Sequence, residues 1–134
     1  MLGLMLTQTG TLDLVSGQKV DLREALAWQN GKEYHHIFPK AYLTSKGYAP
    51  NKINALCNFA LISSASNKQI SDTKPSIYLK ECAARLGEDF KLVLESNLIN
   101  AKALEAPLAD DFDAFTATRA ASLDEYAIRL CGWS

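Results

Sequence analysis

The stretch Glu33-Tyr34-His35-His36-Ile37-Phe38-Pro39 decides how the rest of this chain is read. A run of aromatic and branched side chains, stopped by a proline that cannot donate to a β-ladder, describes a short strand. Working outward, residues 40–46 have room for one or two helical turns closed by Gly47, and residues 51–54 read as a polar turn. Asn58-Phe59-Ala60-Leu61-Ile62 is a second short apolar run, which pairs with the first as a hairpin across a long loop. Ser63 or Ser64 then offers an N-cap to a helix that begins near Ala65 and carries Asn67, Lys68 and Ile70. The local order is strand, long loop, strand, helix.

The chain has two histidines, and they are the neighbours His35 and His36. In a regular strand adjacent side chains point to opposite faces, so this pair can share a site only where the strand ends or bends. Pro39 supplies such an ending. Taken alone, a histidine pair at a strand end suits a structural role as well as a chemical one, and its surroundings have to decide.

Farther along, Pro75 suits the first position of a helix whose apolar face is Leu79, Cys82, Ala83 and Leu86, stopped by Gly87. A following helix aligns Phe90, Val93, Leu94 and Leu98. A last one, from about Asp110, places Asp110 and Asp111 against the helix dipole and carries an apolar stripe of Phe112, Phe115, Leu123, Tyr126, Ala127 and Leu130. On the N-terminal side, residues 1–20 read as an apolar segment punctuated by Gly10 and Gly17. Asp21 then caps a short helix to Trp28 that ends at Asn30-Gly31. The expected fold is α+β, one domain over residues 1–134, with a motif core at 33–80 and a helical part at 81–134.

Together, His35-His36-Ile37-Phe38-Pro39, Asn58-Phe59-Ala60-Leu61-Ile62 and Asn67-Lys68-Gln69-Ile70-Ser71 resemble the HNH (ββα-metal) nuclease motif. In particular they resemble the variant in the C-terminal domain of GmrSD-type modification-dependent restriction enzymes. It continues through Ser71-Asp72-Thr73-Lys74-Pro75-Ser76-Ile77-Tyr78-Leu79, and Phe115-Thr116-Ala117-Thr118-Arg119 is similar to that family's Phe-Leu-x-x-Arg helix. The resemblance covers most of residues 11–130. It implies a hairpin-plus-helix core that holds one divalent cation among several α-helices, and an endonuclease that hydrolyses DNA in restriction or phage defence. In that family the nuclease domain follows a larger nucleotide-hydrolysing domain, so this chain is expected to be a C-terminal fragment with that domain as a partner.

Phosphodiester cleavage needs an activated water, neutralisation of charge on the phosphate oxygens, and help for the leaving 3′ oxygen. Carried over residue by residue, the resemblance makes His36 the general base. His35 stands where the wider class has an aspartate and becomes a metal ligand, with Asn67 as the second. Asn58 matches the middle asparagine, which either orients the catalytic imidazole or braces the loop between the strands; Asn54 competes for the orienting role. One imidazole and one amide oxygen bring no negative charge, so weak affinity for Mg²⁺ and tolerance of Mn²⁺, Co²⁺ or Ni²⁺ are expected. No CxxC pair is present, which excludes the zinc-stapled variety. A catalytically silent DNA-binding or docking module on the same fold is the competing reading, and RNA cleavage a third.

Composition adds an independent constraint. A chain of 134 residues that is 48% hydrophobic can bury a core without metal or disulfide staples. Its formal charge of -1 excludes a uniformly basic coat, yet residues 32–80 hold seven lysines against two acids, a balance of +5, and the remainder carries -6. Lys68 is the first expected phosphate contact, with Lys40 and Lys74 beside it. Tyr42 and Tyr48 are expected to pack beside the hairpin loop rather than to stack on a base. Cys57, Cys82 and Cys131 are odd in number and widely spaced, which suits a reducing cytoplasm. The apolar start is broken by Gly3 and ends at Thr7 with no basic residues before it, too short for a signal peptide or a membrane span.

Overall fold

The computed structural model describes residues 11–19, 34–100 and 104–130; the helix expected from Asp21 and Cys131 lie outside them. Two short strands, β1 (Tyr34–His36) and β2 (Phe59–Leu61), pair antiparallel with Tyr34 opposite Leu61, His35 opposite Ala60 and His36 opposite Phe59. Between them run α1 (Lys40–Ser45), α2 (Pro50–Ile53) and a 3₁₀ turn, Leu56–Asn58. After β2 come α3 (Ser64–Ile70), α4 (Pro75–Leu86), α5 (Asp89–Ser96), α6 (Glu105–Leu108) and α7 (Phe112–Leu130). The protein is therefore mixed α+β and mostly helical around a small sheet. Among the described residues no helix is long and apolar enough to cross a membrane.

Local signals explain most boundaries. Ser63, not Ser64, caps α3: its side chain accepts a hydrogen bond from the Ser66 amide at 3.1 Å. Pro75 opens α4 and Gly87 ends it with φ 57°, a conformation glycine adopts without strain. The polar turn expected at residues 51–54 is instead a helical turn. Pro50 starts it with a preset φ, and Ile53, buried beneath it, rewards the coil. Leu98 leaves the helix it was grouped with, because α5 stops at Ser96 and Leu98 sits at φ 59° in the following turn.

The core is a continuous cluster in which Ile37, Phe38, Leu43, Ile53, Ala60 and Ile62 from the hairpin region meet Tyr78, Leu79 and Cys82 of α4 and Phe112 and Phe115 of α7. The Phe38 ring lies 5.2 Å from Phe112, edge-on, and 5.4 Å from Phe115, tilted, an aromatic anchor just beyond the end of β1. Tyr78 donates its hydroxyl to the Ile37 carbonyl, and burial pushes its phenol well above the ordinary range. Asp110 does not serve α7 as expected. Its carboxylate accepts from the Ser76 amide at 3.0 Å and the Ser76 hydroxyl at 2.6 Å, so it caps α4, and Asp111 caps α7 through the Ala114 amide at 3.1 Å.

The buried stripe of α7 also differs from the apolar stripe in the sequence. Phe112, Phe115 and Arg119 are buried, while Leu123, Tyr126 and Ala127 are half-buried. Arg119 is 2% exposed and donates to the carbonyls of Cys57 at 3.0 Å, Phe59 at 2.7 Å and Asn97 at 2.8 Å. Burial lowers its guanidinium to about 10, still protonated at neutral pH, so the carbonyl dipoles hold a full cation. That clamp ties the middle of the 3₁₀ turn and the start of β2 to α7 and to the turn after α5.

Candidate functional site

The β-ladder register sets where the histidines begin. His36 shares a face with Phe59, and the two rings are in tilted contact, 4.5 Å between centroids. His35 starts from the opposite face, beside Ala60. The ladder stops at His36 and the chain bends through Ile37 and Phe38 before Pro39. Both imidazoles thereby line one open cavity of about 430 Å³, together with Asn67 and Lys68 of α3. Pro39, Lys40, Ser71 and Asp72 complete its lining.

The two asparagines of the loop divide the roles that the sequence left open between them. Asn54 Oδ1 lies 2.9 Å from His36 Nε2. An amide oxygen only accepts, so this contact selects the tautomer with the hydrogen on Nε2, in which Nδ1 carries the lone pair. Asn58, expected as a catalytic residue, does not reach the imidazole. It is 0% exposed, accepts from the Phe38 amide at 2.9 Å, and donates to the carbonyls of Phe38 at 3.2 Å and Ile53 at 2.9 Å. Both ends of the loop between the strands are thus tied to one buried amide, which is the bracing arrangement.

Asn67 is set by the start of α3. Besides the Ser63 cap, buried Asp13 accepts from the Ser63 amide and the Ser66 hydroxyl, each at 3.1 Å, while its other oxygen holds the Val15 amide at 2.9 Å. The segment before the hairpin therefore fixes the helix that carries Asn67, a contact across 53 positions that no local pattern announces. At the far end of α3 the Ser71 amide donates to the Asn67 carbonyl at 2.9 Å, and Ser71 adopts φ 46° and ψ -124°. A side chain is strained there, by roughly 1–3 kcal/mol. Ser71→Gly is accordingly expected to stabilise the fold by about 1 kcal/mol, read as a higher Tm; an unchanged or lower Tm would remove the strain argument.

Of the three lysines singled out for phosphate, Lys40 and Lys68 are exposed on the cavity and Lys74 is not among its lining residues; it precedes α4 instead. Tyr42 and Tyr48 pack against the core, with Tyr48 edge-on to Phe112 at 4.8 Å and hydrogen-bonded to Asp113 at 3.1 Å. Burial pushes the thiols of Cys57 and Cys82 up, which keeps them protonated and unreactive at neutral pH.

The donor set on the cavity suits a hard or borderline divalent cation: the His35 imidazole, the Asn67 amide oxygen and the Asp72 carboxylate. Among the described residues no three His, Cys, Asp or Glu side chains crowd together as a preformed metal cage. Asp72 is the wall residue that sequence reasoning passed over. Its signal was its place just beyond the helix bearing Asn67, within the stretch carrying the family resemblance.

Comparison with known proteins adds little to this geometry. No family model matches the chain, and no solved structure matches it. A stretch of 49 residues is 45% identical to Uncharacterized protein MJ0686 of Methanocaldococcus jannaschii, covering 37% of this chain and 8% of that protein.

Proposed function

We propose that this chain is a divalent-metal-dependent DNA endonuclease domain of the ββα-metal (HNH) type, the cleavage part of a restriction or phage-defence protein whose other part hydrolyses nucleotides. The observation that carries this reading is the arrival of His35, His36 and Asn67 at one open cavity, from a strand end and a helix that are neighbours only in the folded chain. Lys40 and Lys68 on the same cavity suit a phosphate-bearing substrate.

The chemistry runs from the residues. His36, its ring held by Asn54 and Phe59, takes a proton at Nδ1 from the attacking water. Lys68 and Lys40 neutralise and orient the flanking phosphates. His35 and Asn67 are the residues that would hold a divalent cation, which when bound supplies Lewis-acid stabilisation of charge on the phosphate and the leaving oxygen.

The test is conversion of supercoiled plasmid by the full-length protein in Mn²⁺ or Mg²⁺. Nicking that a chelator abolishes supports the reading; salt-sensitive DNA binding without cleavage in any divalent metal would favour a silent binding module. Substituting Lys68 or Lys40 by alanine is expected to weaken DNA binding and to reduce the slope of log affinity against log salt by about 1 each. An unchanged slope would take that lysine off the phosphate path.

A further inference from the structure

The cavity that holds His35 and Asn67 has a wall of its own chemistry, formed by Ser71 and Asp72 just after α3. Asp72 is exposed, and among the described residues neither it nor Lys40 nor Lys68 forms an ion pair. Its carboxylate is therefore not spent as a lysine's counter-charge. The chain reaches it through the reversal at Ser71, whose φ of 46° a glycine would hold more cheaply, so the turn keeps a side chain at a cost in backbone strain. A carboxylate on a face that must receive a polyanion is unfavourable for DNA binding by itself.

Resting on the nuclease reading above, we propose that Asp72 is a positioning residue for the cation: its carboxylate, on the cavity shared with His35 and Asn67, would help to hold a hydrated divalent ion there and would supply the negative charge that an imidazole and an amide oxygen lack. The geometry favours a water-mediated role. Asp72 shares the cavity with the histidines, yet the described side chains form no close cage of three such ligands, and a cavity of about 430 Å³ has room for a hydrated ion. Mg²⁺ in particular keeps several of its waters when bound and takes its carboxylate partners sparingly. The assignment also changes the expected metal preference, because a carboxylate restores affinity for hard cations that the His35 and Asn67 pair would not hold alone.

The experiment is Mn²⁺ binding to the full-length protein, followed by electron paramagnetic resonance of the free ion, for the wild type, Asp72→Asn and His35→Ala, with DNA binding measured separately in chelator. Asp72→Asn is expected to weaken Mn²⁺ binding about 10-fold while leaving metal-free DNA affinity unchanged or tighter. If Asp72→Asn binds Mn²⁺ as the wild type does while His35→Ala loses it, the role of Asp72 is overturned and the metal site stands. If the wild type binds no Mn²⁺ and cuts no plasmid, the nuclease reading and this inference fall together. Circular dichroism of the exposed Asp72→Asn change separates lost binding from lost fold.

Discussion

His36→Ala is expected to lower metal-dependent plasmid nicking by about 10²–10⁴-fold, the range that a positioned general base contributes, while Mn²⁺ binding stays within a few-fold of the wild type. The separation follows from the site. His36 is fixed by Asn54 through Nε2 at 2.9 Å and by its contact with Phe59, and neither interaction passes through His35 or Asn67. The ring is half-buried at the end of β1, so its loss removes one ring contact and leaves the ladder hydrogen bonds in place. Asn54→Ala is the graded counterpart. It frees the imidazole to rotate and to change tautomer, and activity should fall between those of the wild type and His36→Ala. Nicking in His36→Ala at the wild-type rate would sink the general-base assignment.

Asn58→Ala is expected to cost about 3 kcal/mol or more of folding stability, a large share of the 5–15 kcal/mol typical of a domain. One substitution removes three hydrogen bonds at once, to the Phe38 amide, the Phe38 carbonyl and the Ile53 carbonyl. All lie where water does not reach, since Asn58 is 0% exposed, and each stranded group carries its own desolvation penalty. Asn58→Asp should be no rescue. The carboxylate still accepts from Phe38, but it cannot donate to the two carbonyls and it buries a charge. Urea unfolding gives the answer directly: an Asn58→Ala protein that melts like the wild type yet has lost nicking would return Asn58 to the catalytic residues and undo the bracing role.

The contrast between these two asparagines marks how far the sequence was legible. Both lie in the loop between the strands, and both are the residue type that an imidazole partner requires. What separates them is the pairing of β1 with β2, which carries the Ile37 amide to the Asn58 carbonyl at 2.7 Å and turns the Asn58 side chain inward. Asn54, four residues earlier at the end of α2, is left exposed next to His36. Sequence reasoning put Asn58 ahead of Asn54 for the imidazole, whereas Asn54 is the one beside His36, because the difference is a matter of which face of the loop meets the core.

Arg119 teaches the same lesson from the opposite direction. An apolar stripe is a sound guide to the buried face of α7 at Phe112 and Phe115, but the next buried position is a cation. Its partners are carbonyls 60 and 62 positions earlier in the chain and one in the turn after α5, and their dipoles exist as an acceptor cluster only once the 3₁₀ turn has formed.

By itself, the sequence determined what depends on neighbours along the chain. The presence and order of the two strands and α3, the start of α4 at Pro75 and its stop at Gly87 follow from φ preferences and hydrogen bonds within a few residues, whereas β1 stops at His36, short of Pro39, and β2 spans only Phe59–Leu61. The basic character of residues 32–80 was equally plain in the sequence. Only the tertiary structure decided that Asn54 rather than Asn58 meets His36, that Lys74 lies off the cavity while Lys68 and Lys40 line it, that Asp13 secures the helix bearing Asn67, and that Asp72 shares the histidines' cavity. Each of these depends on the relative placement of elements far apart in the chain. That placement comes from burying one shared core, a requirement on the whole chain that no short segment encodes.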